Sequence, residues 1–225
     1  MPPGTWYSDR SVILLTEEFM SVKAAETKEA VVEEFRRHTI LRAARHVIAR
    51  RGLAGASMQA IADEAGIAKG TLYLYFRDRD RLVDDAANRI FEELLARVHA
   101  ALDGEHPLRE SLRALVRTNL EFFDANQEFL RVLLETREPE HVHCGRRRRR
   151  PLYARYLELL SGHLAAAVKR GEMKPLDPSR VALFLAEGMR AILKLRLERR
   201  DRSTAEDVEW IVEMMVSGIG ARKRT

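Results

Sequence analysis

The sequence predicts an all-α protein of about nine helices, and three observations lead to that fold class. Apolar residues recur at three-and-four spacing along most of the chain, and no segment shows the alternation of a half-buried strand. The prolines lie near the N-terminus or at junctions between apolar-periodic segments. A chain of 225 residues is long enough to bury a second core beside a small helical head.

Helices are expected over nine ranges whose ends are uncertain by a few residues: 28–51, 57–65, 69–76, 79–102, 107–124, 126–137, 151–170, 178–199 and 204–220. Capping residues support three of them. Asp78 precedes the fourth, Asp177 and Pro178 precede the eighth, and the capping box of residues 203–206 precedes the ninth. Residues 1–26 lack a comparable pattern and are expected to form an N-terminal extension that need not be ordered.

The first helix is expected to pack against the next two and to end at Gly52. Its apolar stripe consists of Val32, Phe35, Ile40, Ala43, Val47 and Ile48. The three helices together predict a small N-terminal head that ends near Phe76.

Residues 57–76 predict two short helices around a tight turn. Met58, Ile61, Ala62 and Ala65 share one helical face, and Ser57 is placed to act as the N-cap. Gly66 can adopt the left-handed conformation of a C-terminal cap, after which Ile67 turns inward.

The second of these helices is expected to present a polar and aromatic surface to solvent. At roughly 100° per residue, Leu72 and Phe76 lie on the buried side and Gly70, Thr71 and Leu74 lie opposite. Tyr73 and Tyr75 lie on the flanks, where their hydroxyls can reach phosphates, and Lys69 adds charge at the helix N-terminus. The alternative is that the tyrosines only fill a helical core.

The run G-I-A-K-G-T-L-Y-L-Y-F-R-D-R-D-R-L-V resembles the signature of the TetR family of transcriptional regulators, and the likeness extends from Ile40 to Leu82. Two positions depart from the family pattern. Arg79 stands where lysine is frequent and can still hold a phosphate, and Leu74 favours an apolar contact such as a thymine methyl. The expected DNA-binding residues are Ser57, Lys69, Gly70, Thr71, Tyr73, Leu74, Tyr75 and Arg79.

The resemblance also implies the domain organisation and the activity. Residues 27–77 would form the helix-turn-helix domain, and residues 78–225 an effector-binding and dimerisation domain. We expect a repressor that binds a near-palindromic operator as a dimer and is released by a small-molecule effector, with no cofactor. Its partners would be double-stranded DNA, the effector and a second copy of the chain.

Composition limits the remaining function classes. The formal charge of +5 is compatible with DNA binding without requiring it. The single cysteine excludes an intrachain disulfide framework and favours a reducing compartment. No apolar stretch approaches the length of a membrane span. We therefore expect a cytoplasmic protein without a membrane partner.

The last two predicted helices carry broad apolar stripes that one subunit covers with difficulty. Pairing them with their copies across a two-fold axis would form a four-helix bundle, in which Gly188 permits close approach. The alternative is that both stripes pack inside their own subunit. The expected interface residues are Val181, Phe184, Leu185, Gly188, Ile192, Leu195, Val208, Ile211, Val212, Met215 and Ile219.

The middle helices supply candidate wall residues for an effector pocket, although most are expected to be ordinary core. Asn119 is the most specific candidate, because it is a neutral polar group among apolar neighbours. Glu187 and Arg190 could orient a ligand or pair at the dimer rim. The candidate wall residues are Phe91, Leu95, Leu115, Asn119, Phe122, Phe123, Leu130, Leu134, Tyr153, Tyr156 and Met189.

The segment 138–150 has the most unusual composition. Its five arginines, Arg146 to Arg150, cannot form one amphipathic face and are interpreted as a solvated loop before Pro151. An anion contact is the functional alternative. His141, His143 and Cys144 are possible metal ligands, but they match no closed zinc pattern, so no metal is expected.

Three function classes remain open from the sequence. The first is the ligand-responsive regulator, and the second is a constitutive DNA-binding or architectural protein whose helical core has no effector cavity. The third is a helical metal-dependent enzyme, which needs clustered inward carboxylates and histidines. The sequence contains no serine–histidine–aspartate arrangement, P-loop or dinucleotide fingerprint, so no catalytic residue is assigned.

Overall fold

The computed structural model describes the backbone of residues 9–135, 139–198 and 203–219, and the side chains of 30–133, 151–198 and 203–219. Over these residues the chain forms nine helices and no β-strand, which confirms the all-α class. The helices are α1 (Asp9–Gly55), α2 (Met58–Ala65), α3 (Lys69–Tyr75), α4 (Arg79–Ala101), α5 (Leu108–Ala125), α6 (Gln127–Glu135), α7 (Pro139–Lys169), α8 (Pro178–Glu198) and α9 (Thr204–Ile219).

Helix α1 begins well before the predicted residue 28, so the expectation that residues 9–26 lack helical structure was wrong. Its regular part ends as predicted at Gly52, where the backbone has φ 69° and ψ 176°. Residues 1–8 of the predicted extension lie outside the described residues.

Two residues expected in the core of α1 are in fact exposed: Val32 is 41% exposed and Phe35 is 71% exposed. The reason is the extent of the partner helices, because α2, α4 and α6 pack on α1 and cover only its C-terminal part. Burial along α1 begins at Ile40 and continues through Ala43, Val47 and Ile48 as predicted.

Helix α7 begins at Pro139, so the interpretation of residues 139–150 as a loop was wrong. Pro151 lies inside the helix rather than at its start. Arginine is a strong helix former whatever the apolar periodicity, and an internal proline removes one backbone hydrogen bond without preventing helix on both sides. The side chains of Arg146 to Arg150 lie outside the described ones.

The predicted caps are present at three helix starts. The Asp78 carboxylate accepts a hydrogen bond from Arg81 N at 2.7 Å, and the Asp177 carboxylate accepts one from Ser179 N at 2.9 Å. Ser203 Oγ accepts a longer one, at 3.4 Å, from the backbone N–H three residues later in its capping box. These local signals explain why helices α4, α8 and α9 begin where the sequence predicts.

The buried side chains form two apolar clusters, and α4 contributes to both. The first cluster joins α1, α2 and α3 to the N-terminal half of α4, including Leu82 and Ile90, and reaches Phe122 and Phe129 on α5 and α6. The second joins Val98 at the C-terminal end of α4 to α5, α7, α8 and α9. The head core therefore continues across residue 77 into α4, and the proposed boundary at 77/78 remains a prediction.

No helix within the described ranges combines the length and the apolar character needed to cross a lipid bilayer.

Candidate nucleic-acid interface

Helices α2 and α3 form the predicted helix-turn-helix. Ser57 Oγ accepts a hydrogen bond from Ala60 N at 3.1 Å, and Gly66 has the left-handed conformation with φ 67° and ψ 32°. Met58 and Ile61 are buried against the head core. Ile67 N donates to Ala62 O at 3.0 Å, which closes the turn into α3.

Helix α3 has one buried side and one exposed side, as its angular pattern predicts. Leu72 is 0% exposed and Phe76, which caps the helix, is 1% exposed. On the opposite side Leu74 is 83% exposed, although it is a large apolar residue. Because none of the described residues covers this leucine, α3 presents it to a partner or to solvent.

The remaining candidates on α3 surround Leu74. Lys69, Gly70 and Tyr73 are exposed, and Thr71 is half-buried. Outside its own stretch of helix, a Cβ atom built on Gly70 would meet no atom of the described residues within 4 Å, so the space beside this glycine is open. The surface formed by Lys69, Gly70, Thr71, Tyr73 and Leu74 is named the α3 reading surface below.

Tyr75 differs from Tyr73 in its surroundings. It is half-buried and packs against the first apolar cluster, whereas Tyr73 is 48% exposed. The alternative that the tyrosines fill the core therefore holds in part for Tyr75.

The Ser57 hydroxyl is already used as the cap of α2.

Arg79 is half-buried, and its guanidinium is directed toward the head. Its Nε donates to Ala56 O at 2.9 Å, and its Nη2 donates to Leu53 O. Its Nη1 lies 3.5 Å from the carboxylate of Asp80. Arg79 thus ties the start of α4 to the turn between α1 and α2, and the structure gives it a positioning role that the sequence did not reveal.

Arg37 is a second residue that the sequence reasoning missed. Its guanidinium lies 4.6 Å from the centroid of the Phe76 ring and 2.5 Å from the Asp85 carboxylate. Arg37 therefore links α1, the end of α3 and α4 through a cation–π contact and an ion pair. Only the packing of α1 on α4 brings these groups together, so a sequence pattern could not have found them.

The residues predicted to line an effector pocket are in three situations. Leu115, Phe122, Phe123 and Met189 are buried in the clusters, while Leu95 and Leu130 are half-buried. Two candidates lie near the surface: Phe91 is 37% exposed and Tyr153 is 39% exposed. The side chain of Leu134 lies outside the described ones.

Asn119 and Tyr156 form a polar pair inside the body. Asn119 is 4% exposed; its Nδ2 donates to Leu115 O at 2.8 Å, and its Oδ1 accepts from the Tyr156 hydroxyl at 3.3 Å. Burial raises the pKa of the Tyr156 phenol to about 12, so it stays protonated and remains a donor at neutral pH. The pair joins α5 to α7.

Glu187 and Arg190 pair with one another at 3.4 Å on the surface of α8. The Tyr153 hydroxyl also donates to Glu187 at 2.6 Å. Partial burial, with the Glu187 hydrogen bond, raises the pKa of Tyr153 to about 12. These groups therefore link α7 to α8 near the surface.

The predicted dimer residues divide between the surface and the subunit's own core. Leu185, Val208, Ile211 and Val212 are at most 3% exposed within one subunit, so predicting them as contact residues was wrong. An apolar stripe marks burial but not the partner, and here the partner is α5 for α9 and α7 for α8. Val181, Gly188, Ile192, Leu195, Met215 and Ile219 are half-buried.

Other large apolar side chains of α8 and α9 are exposed. Leu183 is 48% exposed, Phe184 74%, Trp210 58% and Met214 52%. Phe184 was among the predicted interface residues, and the other three were missed. The exposed surface of these four residues is named the α8–α9 face below.

The candidate metal ligands His141, His143 and Cys144 have side chains outside the described ones. Among the side chains that are described, no three from histidine, cysteine, aspartate and glutamate converge closely enough to hold a metal ion.

Comparison with known proteins places this geometry in a family. The model of the bacterial regulatory proteins of the tetR family matches residues 40–93, which include α2, α3 and most of α4. The transcriptional repressor KstR2 of Rhodococcus jostii is 30% identical over 141 residues, or 62% of this chain and 68% of its own length. The regulator UidR of Escherichia coli is 26% identical over 188 residues, 81% of this chain and 92% of its own.

An uncharacterised helix-turn-helix transcriptional regulator of Haemophilus influenzae is 34% identical over 91 residues, which are 40% of this chain. The match spans about half of that relative, 49% of its length.

Solved structures agree in fold over most of the chain. The fatty acid degradation regulator FadR of Bacillus halodurans superposes with a TM-score of 0.68 at 20% identity, covering 80% of this chain and 98% of its own. FadR of Bacillus subtilis, solved in complex with stearoyl-CoA, has a TM-score of 0.70 at 21% identity, covering 81% and 98%. The helix-turn-helix head and the matched relatives, which are regulators and not enzymes, show that this chain belongs to the TetR family of bacterial transcriptional regulators.

Proposed function

We propose that the protein is a ligand-responsive repressor that binds a near-palindromic operator as a dimer and leaves it when a small molecule binds the helical body. The exposed α3 reading surface, held outward by the buried Leu72 and Phe76, is the observation that carries this proposal. Leu74 is 83% exposed on the side of α3 opposite the buried Leu72, so it is available to contact a partner.

On DNA, the parts of the α3 reading surface have different roles. Thr71 and Leu74 contact base edges in the major groove, where Leu74 meets an apolar group such as a thymine methyl. Gly70 lets the helix backbone approach closely, since the space beside it is open. Lys69 and Tyr73 contact phosphates, which fix the register of the head without reading sequence.

A dimer formed through the α8–α9 face would present two reading surfaces. Four large apolar side chains are exposed there, and a Cβ atom on the neighbouring Gly188 would meet no described atom within 4 Å outside its own stretch of helix. Both features support close packing of a second copy. To enter successive major grooves, the two α3 helices would lie roughly 34–36 Å apart.

Helix α4 offers a mechanical route from effector to DNA. Its N-terminal half packs in the first cluster together with Leu72 of α3, and Val98 near its C-terminal end packs in the second cluster. An effector that favours another position of α4 would change the separation of the two heads and so weaken DNA binding. Because this coupling is reciprocal, bound DNA would weaken effector binding by the same free energy.

For the effector, acyl-CoA thioesters are the first class to examine. Bacillus subtilis FadR, which shares the fold, was solved with stearoyl-CoA. In this chain the buried Asn119 and the half-buried Tyr156 lie among apolar residues of α5 and α7, where a ligand could exchange hydrogen bonds with them.

Selection from a random duplex library tests the DNA-binding part of the proposal. The full chain should enrich an inverted repeat whose half-site centres lie one helical turn apart. The variant Leu72→Ala, which removes the buried anchor of α3, should enrich nothing. Recovery of unrelated sequences by the wild-type chain would contradict sequence-specific binding.

Native mass spectrometry, followed by titration of the protein–operator complex with a graded series of acyl-CoA thioesters, tests the effector part. Release of DNA at micromolar thioester supports the proposal. If another small molecule retained by the protein releases the DNA, the effector belongs to a different ligand class. If the protein retains no small molecule and no thioester releases the DNA, the constitutive alternative is supported.

A further inference from the structure

An open cleft of about 240 Å³ lies between α1 and α4, apart from the α3 reading surface. Its lining is strongly basic, with three arginines and one histidine against one carboxylate. The lining residues are His38, Leu41, Arg42, Arg45, Arg89 and Glu93.

The carboxylate of the cleft is already bound. Arg45 Nη1 lies 3.1 Å from Glu93, while Arg45 Nη2 donates to Asn126 Oδ1 at 2.6 Å. Among the described residues, Arg89 forms one long ion-pair contact, with Glu92 on its own helix at 3.5 Å from Nη1, and its buried Nε has no hydrogen-bond partner there. A buried, unsatisfied guanidinium N–H is costly and favours an acceptor that can reach it.

The alignment of α1 with α4 explains why the position of Arg89 lacks a carboxylate. Two ion pairs join α1 to α4, Arg37 with Asp85 and Arg45 with Glu93. Midway between Asp85 and Glu93, about one turn from each, α4 carries Arg89, and the cleft opens there beside Leu41 and Arg42. The position of Arg89, which supplies only cations to the cleft, thus lies between two positions that form ion pairs.

We propose that this cleft binds a phosphate group, with Arg89 and Arg42 as its main ligands. Guanidinium groups match the geometry of phosphate oxygens and hold them through charge-assisted hydrogen bonds. The volume is below the roughly 300–1,000 Å³ of pockets for whole drug-sized molecules, so it suits a phosphate or pyrophosphate group. That group can come from a phosphorylated small molecule or from the backbone of duplex DNA.

Phosphate binding would strengthen the packing of α1 on α4. Both helices belong to the first apolar cluster, and α4 continues into the second, so the anion would stabilise one arrangement of head and body. The site does not depend on the proposed repressor function, because its occupancy can be measured without DNA.

Calorimetric titration with inorganic pyrophosphate at constant ionic strength tests the site. The wild-type chain should bind one pyrophosphate per subunit, and Arg89→Gln should weaken that binding about tenfold or more. Arg42→Gln is a second variant that should act in the same direction if the first folds poorly. Arg155→Gln, an exposed arginine on α7, is the matched control and should bind like wild type.

The salt dependence of operator binding distinguishes the two phosphate sources. If the phosphate belongs to DNA, Arg89→Gln should lower the log–log salt slope by about 0.9; if it belongs to a small molecule, the slope should not change. Either result, together with loss of pyrophosphate binding, supports the site. A wild-type chain that does not bind pyrophosphate, or equal affinities in wild type and Arg89→Gln, would overturn it.

Discussion

Lys69 shows how one exposed cation can be assigned a role by its position. It is the first residue of α3, where free N–H groups and the positive helix end already favour an anion. Lys69→Ala should weaken binding to all DNA sequences and lower the log–log salt slope by about 0.9. Fluorescence anisotropy over a salt series measures the slope. Lys169→Ala, an exposed lysine on α7, is the control, and identical slopes in all three proteins would refute the phosphate role.

Arg79 illustrates the opposite case, a cation whose main contacts lie inside the molecule. It donates to the carbonyls of Leu53 and Ala56, which would lose these partners in Arg79→Ala. We expect the free energy of unfolding to fall by about 1–3 kcal/mol. Urea denaturation measures this change. The neighbouring exposed Arg77→Ala should cost less than about 0.5 kcal/mol, and equal losses in both variants would argue against the positioning role.

Among the helices, α8 and α9 are joined to α5 by a polar cluster around Arg196. This arginine, whose side chain is 7% exposed, bonds Asp207, Asp124 at 2.8 Å and Thr204 at 2.9 Å. Arg196→Met would leave the buried Asp207 without its main cation, so we expect a loss of about 3 kcal/mol in unfolding free energy.

Thermal and urea unfolding of Arg196→Met provide the measurement. Arg190→Met, which breaks only the exposed pair with Glu187 on α8, should cost less than about 1 kcal/mol. If Arg196→Met were no less stable than Arg190→Met, the cluster would not be a stabilising link between these helices.

The helix pair could be predicted from the sequence because its determinants are local. The cap at Ser57, the left-handed Gly66 and the spacing of Leu72 and Phe76 act within a few residues of each other. The surroundings of Phe35 and Val208 depend instead on other helices: on how far α2, α4 and α6 extend along α1, and on whether α5 or a second subunit covers α9. Apolar periodicity does not contain that information.

The same distinction between local and long-range contacts explains which site residues could be predicted from the sequence. The outward side of α3 follows from helical rotation alone, and Lys69 and Leu74 were correctly expected to be exposed. The contacts of Arg79 and Arg37 span tens of residues and exist only after α1, α3 and α4 have packed. Long-range polar contacts of this kind leave no periodic signal in a sequence.

At the scale of the whole molecule, the α8–α9 face should decide the oligomeric state. Phe184→Glu combined with Trp210→Glu would place two charges on an apolar face that we expect to be covered in a dimer. Analytical ultracentrifugation should show a dimer for wild type and a monomer for this variant. Val31→Glu, at an exposed apolar residue on α1, should remain dimeric, and a monomeric wild-type chain at micromolar concentration would contradict the two-fold arrangement.

The DNA bases that the Leu74→Gln variant prefers test most directly whether the outward side of α3 reads DNA in both halves of a dimer. A glutamine amide can pair with adenine where an apolar side chain favours thymine. Parallel selection of duplexes with wild-type and variant protein should therefore change the preferred base at one position of each half-site, symmetrically about the operator centre. An unchanged preference at every position, with the variant folded and bound to DNA as tightly as wild type, would show that α3 does not contact the bases.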